Sequence, residues 1–459
     1  MKKMGEDTES CSRLFLAKTL LSSSCVLFLL AGILAGYLLL APNKALPVAA
    51  KPGKNQQIQH IAQRYLGDLL QQNYSAMWTL LHPDLQRMWP DKSAFSTYLY
   101  QRFHALRLKS FKTGQVSDLS FWTNPETMKQ YNHVSTMPVS LDVEPADGSA
   151  TGNSSATTSQ IQQLFRNLPF MVQYTKPEAG QGGNGTWRIL DGGPADLEAP
   201  ILPPAIPITK KITVPILMYH YISTVPARDK ANPHSYRPGL SVSPTVFSQQ
   251  LDYFTTLGYH SITFNQLFDA LYYDGPLPTR PIIFSFDDGY VDAYTNAYPI
   301  LKTHGYSGMF YIITGKVGWE GQASWSQLQE MAANGMQMGS HTIDHHPIGD
   351  VWQRSPSTAR DELERSRQDL EGHLHMVIQQ FCYPSGDPLN KNPNLTITQI
   401  QIAAVMSLLQ ITGYVGAVND PRVDSSSQDS SKPYIMHRIR VIGSETIENF
   451  KKEMAAFVS

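Results

Sequence analysis

The chain has 459 residues, of which 42% are hydrophobic and 16% charged, with a formal net charge of -1. That length calls for more than one folded unit, and the balanced charge gives no basis for nucleic acid as a partner. Three cysteines, Cys11, Cys25 and Cys382, exclude a disulfide framework and leave the redox compartment open.

Residues 1–18 read as a cytoplasmic tail. From Thr19 to Ala41 there is no charged residue, a run long enough to cross a bilayer as one helix. Secretory signals have shorter apolar cores, so an uncleaved transmembrane signal-anchor is expected, with cleavage near Ala50 and secretion as the alternative. Lys2, Lys3, Arg13 and Lys18 precede the run and place the N-terminus inside. The expectation is a single-pass cell-membrane protein whose bulk lies outside the cell, joined to the membrane by a tether over residues 42–54.

In residues 55–200, Ile58, Ile61, Ala62, Tyr65, Leu66, Leu69 and Leu70 recur at helical spacing, and Tyr74, Met77, Trp78 and Leu81 mark a second helix. The period then becomes two, at Val139, Leu141 and Val143 and again at Phe170, Val172 and Tyr174, and Trp187 with Ile189 imply a last strand. Helices followed by an antiparallel sheet make a small α+β domain. Its pattern resembles the cone-shaped domains similar to nuclear transport factor 2 (NTF2-like), which implies a spacer or a module for a protein partner.

Residues 201–211, ILPPAIPITKK, form a Pro-rich linker. Residues 212–459 alternate strand and helix: ITVPILMYH a strand, Phe247–Leu257 a helix, IIFSF a strand, Ala293–His304 a helix, GMFYII a strand. Helix Trp325–Asn334 then leads to MQMGSH, and helix Asp361–Leu374 to FCYPSG. This is an α/β fold with a parallel sheet or barrel, in which chemistry sits at the C-terminal ends of the strands.

Those ends read His220, Asp287-Asp288, His341 with His345, and Tyr383-Pro384. Asp287-Asp288-Gly289 is also a turn signal, but side by side at a strand end the two carboxylates can share one site and do different work. Asp288, His341 and His345 form a two-His, one-carboxylate set with open positions, suited to catalytic Zn²⁺ or another divalent metal, Co²⁺, Ni²⁺ or Mn²⁺. His346 is an alternative ligand. Asp344 is expected to face solvent, and Cys382 to be a small buried hydrophobe pointing away from the site. Trp319 is a candidate to line a sugar groove, and Trp325 a core residue.

FSFDDG and HTIDH resemble the Phe-Asp-Asp-Gly and His-Thr/Ser-x-x-His motifs of polysaccharide deacetylases, carbohydrate esterase family 4, with the NodB homology domain and a deformed (β/α) barrel. VPILMYHYI, FSQQLDYFTTLGYHSITFNQL and FCYPSG resemble the branch that deacetylates poly-N-acetylglucosamine. The resemblance implies Asp287 as general base toward the attacking water, Asp288, His341 and His345 as metal ligands, and the backbone N–H near Tyr383 as oxyanion donor. Where many members carry Arg-x-Pro-Tyr/Trp, this chain has Phe381-Cys382-Tyr383-Pro384, and Arg438 is the arginine that can orient the base in its place. The general acid is His220, preferred by the same resemblance, or His437.

The implied activity is removal of N-acetyl groups from an extracellular N-acetylglucosamine polymer: poly-N-acetylglucosamine, peptidoglycan or a chitin-like chain. An O-acetyl esterase of the acetylxylan type and a catalytically silent glycan- or partner-binding surface protein are the alternatives.

Overall fold

The computed structural model describes residues 52–146, 158–176, 185–204, 208–232, 234–386, 399–419, 425–443 and 445–458. The expected anchor over 19–41 and the cleavage site at Ala50 lie outside them. Among the described residues no helix is long and apolar enough to cross a membrane.

The first half begins with helices Lys54–Leu70, Tyr74–Trp78, Pro83–Arg87 and Lys92–Phe103. The periodic residues Ile58, Ile61, Ala62, Tyr65, Leu66 and Leu69 are the buried face of the first. Strands β1 (Leu106–Thr113), β2 (Ser117–Thr123), β3 (Gln130–Pro145), β4 (Leu168–Thr175) and β5 (Thr186–Asp191) follow. They pair antiparallel in the order β1-β3-β4-β5, with β2 also on β3. Val139, Leu141 and Val143 point into the core from alternate positions of β3.

The second half contributes β6 (Lys211–Thr213), β7 (Ile216–Tyr219), β8 (Tyr221–Ile222), β9 (Ser241–Val242), β10 (His260–Ser261) and β11 (Pro281–Phe286). It continues with β12 (Met309–Ile312), β13 (Gln337–Ser340), β14 (Gln380–Cys382), β15 (Gly416–Val418), β16 (Ser427–Asp429) and β17 (Ile439–Arg440). The main sheet runs β15-β14-β13-β12-β11-β7-β17, with β10 beside β11, and every pairing in it is parallel. Met436 bridges to Val418 at the end of β15, while Ile439 and Arg440 pair with β7. The short stretch Met436–Arg440 therefore joins the last strand to the first and curls the sheet on itself.

Two expected elements differ. ITVPILMYH is not one strand: it breaks at Val214-Pro215 into β6 and β7, because Pro215 offers no N–H to a ladder, and β6 pairs antiparallel with β16 instead. Residues 293–304 begin as a π turn over Ala293–Ala297 before the α-helix Tyr298–His304. Pro299 there lacks the N–H that an α-helix would direct to Thr295, and the ladder widens around the gap.

Side chains of the curled sheet segregate by parity. Leu217, Tyr219, Phe284, Phe286, Phe310, Met338, Phe381 and Ile439 pack outward under the surrounding helices. Ile216, Ile283, Met309, Tyr311, Cys382, Val418 and Met436 fill the inside. The inner cluster continues through helix Phe264–Tyr273 into Ile201 and the residues of the first half, so one apolar core crosses both halves.

That helix closes the N-terminal end of the sheet: Phe264 N–H donates to the side chain of Gln337, the first residue of β13 (2.9 Å), and Phe268 packs on Gly416, the first residue of β15. Arg102 reaches across from the first half. Its guanidinium bonds Asp269 Oδ1 (2.7 Å), the carbonyls of Ala199 (2.7 Å) and Pro200 (3.0 Å), and the Tyr98 hydroxyl. The strand ends that carry the chemical residues lie at the opposite end of the sheet.

Candidate active site

Inward parity extended by one step past each strand explains the site. In β11, Ile283 and Ser285 face inward, so Asp287 follows them to the mouth, and its N–H donates to Tyr219 O at 3.0 Å. The same count brings in His220 after β7, His341 after β13 and Cys382 in β14. Arg438 shares the inward parity of Met436 and is completely buried. Asp288 leaves the strand at φ +76° and is followed by Gly289 at φ +70°. That turn is how two adjacent aspartates reach one site from different directions.

Arg438 clasps Asp287 with two bonds, Nη1 to Oδ1 at 2.7 Å and Nη2 to Oδ2 at 2.9 Å. It also donates to Asn419 O at 2.6 Å, and its Nη2 lies 3.4 Å from Cys382 Sγ. Burial alone would push the Asp287 carboxyl up; the guanidinium outweighs it and holds the group below the usual carboxylate range. His220 Nε2 stands 3.9 Å from Asp287 Oδ2. Burial draws the His220 imidazole down from its ordinary value, against the pull of both aspartates.

Asp288, His341 and His345 form a group able to hold a metal ion, their donor atoms all within 4.8 Å of one another. His341 Nε2 and His345 Nε2 lie 3.3 and 3.1 Å from Asp288 Oδ1. That oxygen is nevertheless buried with no hydrogen-bond partner of acceptable geometry. His341 Nδ1 lies 2.8 Å from the Cys382 carbonyl oxygen; donating there leaves Nε2 with its lone pair toward Asp288. An orphaned buried carboxylate oxygen between two such imidazoles fits a bound cation.

A second set, Asp287, His341 and Cys382, also has its donor atoms within 4.8 Å of one another. Arg438 already places a full positive charge against Asp287 and Cys382, which opposes a second cation there. The Asp288 set is the one available.

The structure corrects the expectation for Cys382 and places Tyr383 and His437. Cys382 does not face away: it shares the inward parity of Gln380 and lies against Arg438, while Tyr383 takes the outward side. The Tyr383 N–H donates to Val418 O (3.2 Å) and its hydroxyl to Tyr434 O (2.9 Å), so that N–H is committed to the sheet. Pro384 has none, and Gly386 N–H bonds back to Tyr383 O (3.4 Å); Ser385, at φ +59°, carries the remaining N–H of the turn. The signal for it was the proline itself. His437 is joined through its backbone to Gln428 and has the parity of the outward Ile439. Of the two candidate acids, His220 is the one brought to Asp287.

His346 and Asp344 are exposed. Trp325 is half-buried and stacks on His373 with ring centroids 3.9 Å apart, whereas Trp319 is 63% exposed. Tyr290, which lies against Asp288, stacks on Tyr221 at 3.8 Å, and the Arg237 guanidinium lies 3.2 Å over Tyr221.

Residues 274–405 match the family described as Polysaccharide deacetylase. A poly-beta-1,6-N-acetyl-D-glucosamine N-deacetylase of Staphylococcus aureus (strain MRSA252) is 31% identical over 159 residues, 32% of this chain and 54% of that protein. YxkH of Bacillus subtilis (strain 168) is 27% identical over 233 residues, 50% of this chain and 72% of that one. The chain thus spans about half the length of the staphylococcal relative (54%). Among solved structures, Streptococcus pyogenes deacetylase PplD in complex with acetate aligns with a TM-score of 0.45 and 24% identity, over 55% of this chain and 100% of that one. IcaB from Ammonifex degensii aligns with a TM-score of 0.43 and 24% identity, over 54% and 97%.

Proposed function

We propose that this chain, whose residues 274–405 match the polysaccharide deacetylase family, is a metal-dependent hydrolase that removes N-acetyl groups from an extracellular N-acetylglucosamine polymer. The single observation that carries the reading is the pairing of an Arg438-clasped Asp287 with an orphaned Asp288 oxygen between two imidazoles. Poly-β-1,6-N-acetylglucosamine is the first substrate to offer, on the strength of the staphylococcal relative's named activity. The apolar run over 19–41 is the proposed anchor that holds the enzyme at the cell surface.

When bound by Asp288, His341 and His345, a divalent cation, Zn²⁺ first, supplies positive charge that polarises the acetamide carbonyl and acidifies the attacking water. Asp287 takes that water's proton. Arg438 keeps Asp287 ionised at neutral pH and fixes its plane, so the base is always available though weakly basic. The Ser385 N–H is the backbone donor for the tetrahedral oxyanion, a contribution of roughly 3–4 kcal/mol for a well-aimed donor. His220, 3.9 Å from Asp287, receives the proton that Asp287 took from the water and hands it to the departing amine, which returns both groups to their starting states. Burial lowers the His220 pKa, so the imidazolium gives the proton up readily. Acetate and a free amino sugar leave.

Acetate release from β-1,6- and β-1,4-linked N-acetylglucosamine oligomers and from acetylated xylan tests the substrate. The reading requires release from an acetamide substrate, with the β-1,6 oligomer preferred. Release from the acetyl ester alone would replace it with an O-acetyl esterase.

A further inference from the structure

The loop that displays both candidate histidine ligands has a conformation its sequence does not favour. Thr342 and His345 sit at φ +65° and +64°, a region that is an outlier for a β-branched residue such as threonine. Such backbone persists only when its surroundings over-determine it.

The N–H groups of the loop show what does so. His341 N–H still donates to the sheet, at Ile312 O (2.9 Å). Thr342 N–H donates to Ser340 Oγ (3.2 Å) and His345 N–H to Thr342 Oγ1 (2.9 Å). Between them, Ile343 and Asp344 both donate to one oxygen, Glu362 Oε2, at 2.9 and 3.3 Å. Glu362 is buried on helix Pro356–Leu374. One turn later on the same face, Ser366 Oγ meets Ser340 Oγ at 2.7 Å. A single helical turn therefore grips the end of β13 through Ser366 and the loop beyond it through Glu362.

We propose that Glu362 is a positioning residue for the metal-binding loop. Its carboxylate oxygen holds peptides 343 and 344 in the turn that aims His341 and His345 at Asp288. The inference rests on the metal-dependent reading above and assigns Glu362 no contact with substrate.

The test uses Co²⁺ as the probe, titrated into chelator-stripped protein and followed by its visible absorption, with thermal unfolding of the stripped protein alongside. Glu362→Ala and Glu362→Asp, which withdraw the acceptor or shorten its reach, should weaken Co²⁺ binding about 10–100-fold and alter the band. Glu362→Gln keeps an acceptor oxygen at the same reach and should stay within about threefold of the parent. If Glu362→Ala does not fold, the Asp and Gln pair decides. Parental affinity in Glu362→Asp, or a Gln variant as weak as the Asp variant, would overturn the proposal. A parent protein that binds no Co²⁺ would instead overturn the metal reading on which it rests.

Discussion

Asp287 and Arg438 are each buried charges that only the other makes tolerable. Removing one partner of such a pair costs about 3–5 kcal/mol because the other is left uncompensated. Arg438→Met should therefore lower the melting temperature and, with the guanidinium gone, let burial raise the Asp287 carboxyl. The sign follows from the depressed carboxyl of the parent: the stability it contributes is present above the unfolded pKa and lost as pH falls through the folded one. In Arg438→Met the acidic limb of the pH–rate profile should move to higher pH. A variant with the parent's stability and profile would show that the clasp does neither job. Arg438→Lys is not a rescue, since an ammonium cannot make both bonds.

Among the elements, most of what positions the site was legible as a count of two. The apolar strands and the carboxylate and imidazole at their ends identified the mouth of the sheet, and parity decides which neighbour enters it. The parity of Cys382 and Tyr383 could not be read from FCYPSG, because the strand's register depends on its partners β13 and β15, and β15 carries only the short apolar stretch Gly416–Val418. Strand β1 was missed for a related reason: the register shifts between Leu108 and Ser110, so Lys109 and Ser110 are both exposed and the alternation of LRLKSFKT breaks in the middle. Nor does HTIDH announce its acceptors, which come from a helix about twenty residues away. Gly315 offers a test at this scale. A Cβ there would lie 2.7 Å from Ile343 O, a backbone atom that cannot swing aside, so Gly315→Ala should push the loop outward and weaken metal binding. Unchanged Co²⁺ affinity in Gly315→Ala would contradict that reading of the loop.

At the scale of the whole molecule, the two halves share a core and a junction crowded with acid. Glu126, Asp191 and Asp269 are buried there and Asp196 and Glu198 half-buried, with Arg102 paired to Asp269, among the hydroxyls of Tyr65, Tyr98 and Tyr273. Burial, reinforced by the neighbouring carboxylates, raises Glu126 and Asp191 and pushes Glu198 up to about 8. A raised carboxyl contributes stability that is complete below its unfolded value, 4.5 for glutamate, and is lost as pH rises through the folded value of about 8. The melting temperature should accordingly fall between about pH 5 and pH 9, and Glu198→Gln should flatten that fall; a melting temperature rising through this range would contradict the protonated junction. The continuous core also requires both halves to melt together, in one calorimetric transition, which Arg102→Met lowers as a unit. Two separated transitions would show independent domains.

The most direct measurement is acetate release from β-1,6-linked N-acetylglucosamine oligomers by the chelator-stripped protein before and after Zn²⁺ is restored, with Asp287→Asn treated identically and its bound zinc counted. The account predicts no release when stripped, recovery with Zn²⁺, and an Asp287→Asn variant that binds zinc as the parent does yet turns over at least about 100-fold more slowly. Full activity without metal, or parental turnover by zinc-loaded Asp287→Asn, would contradict it.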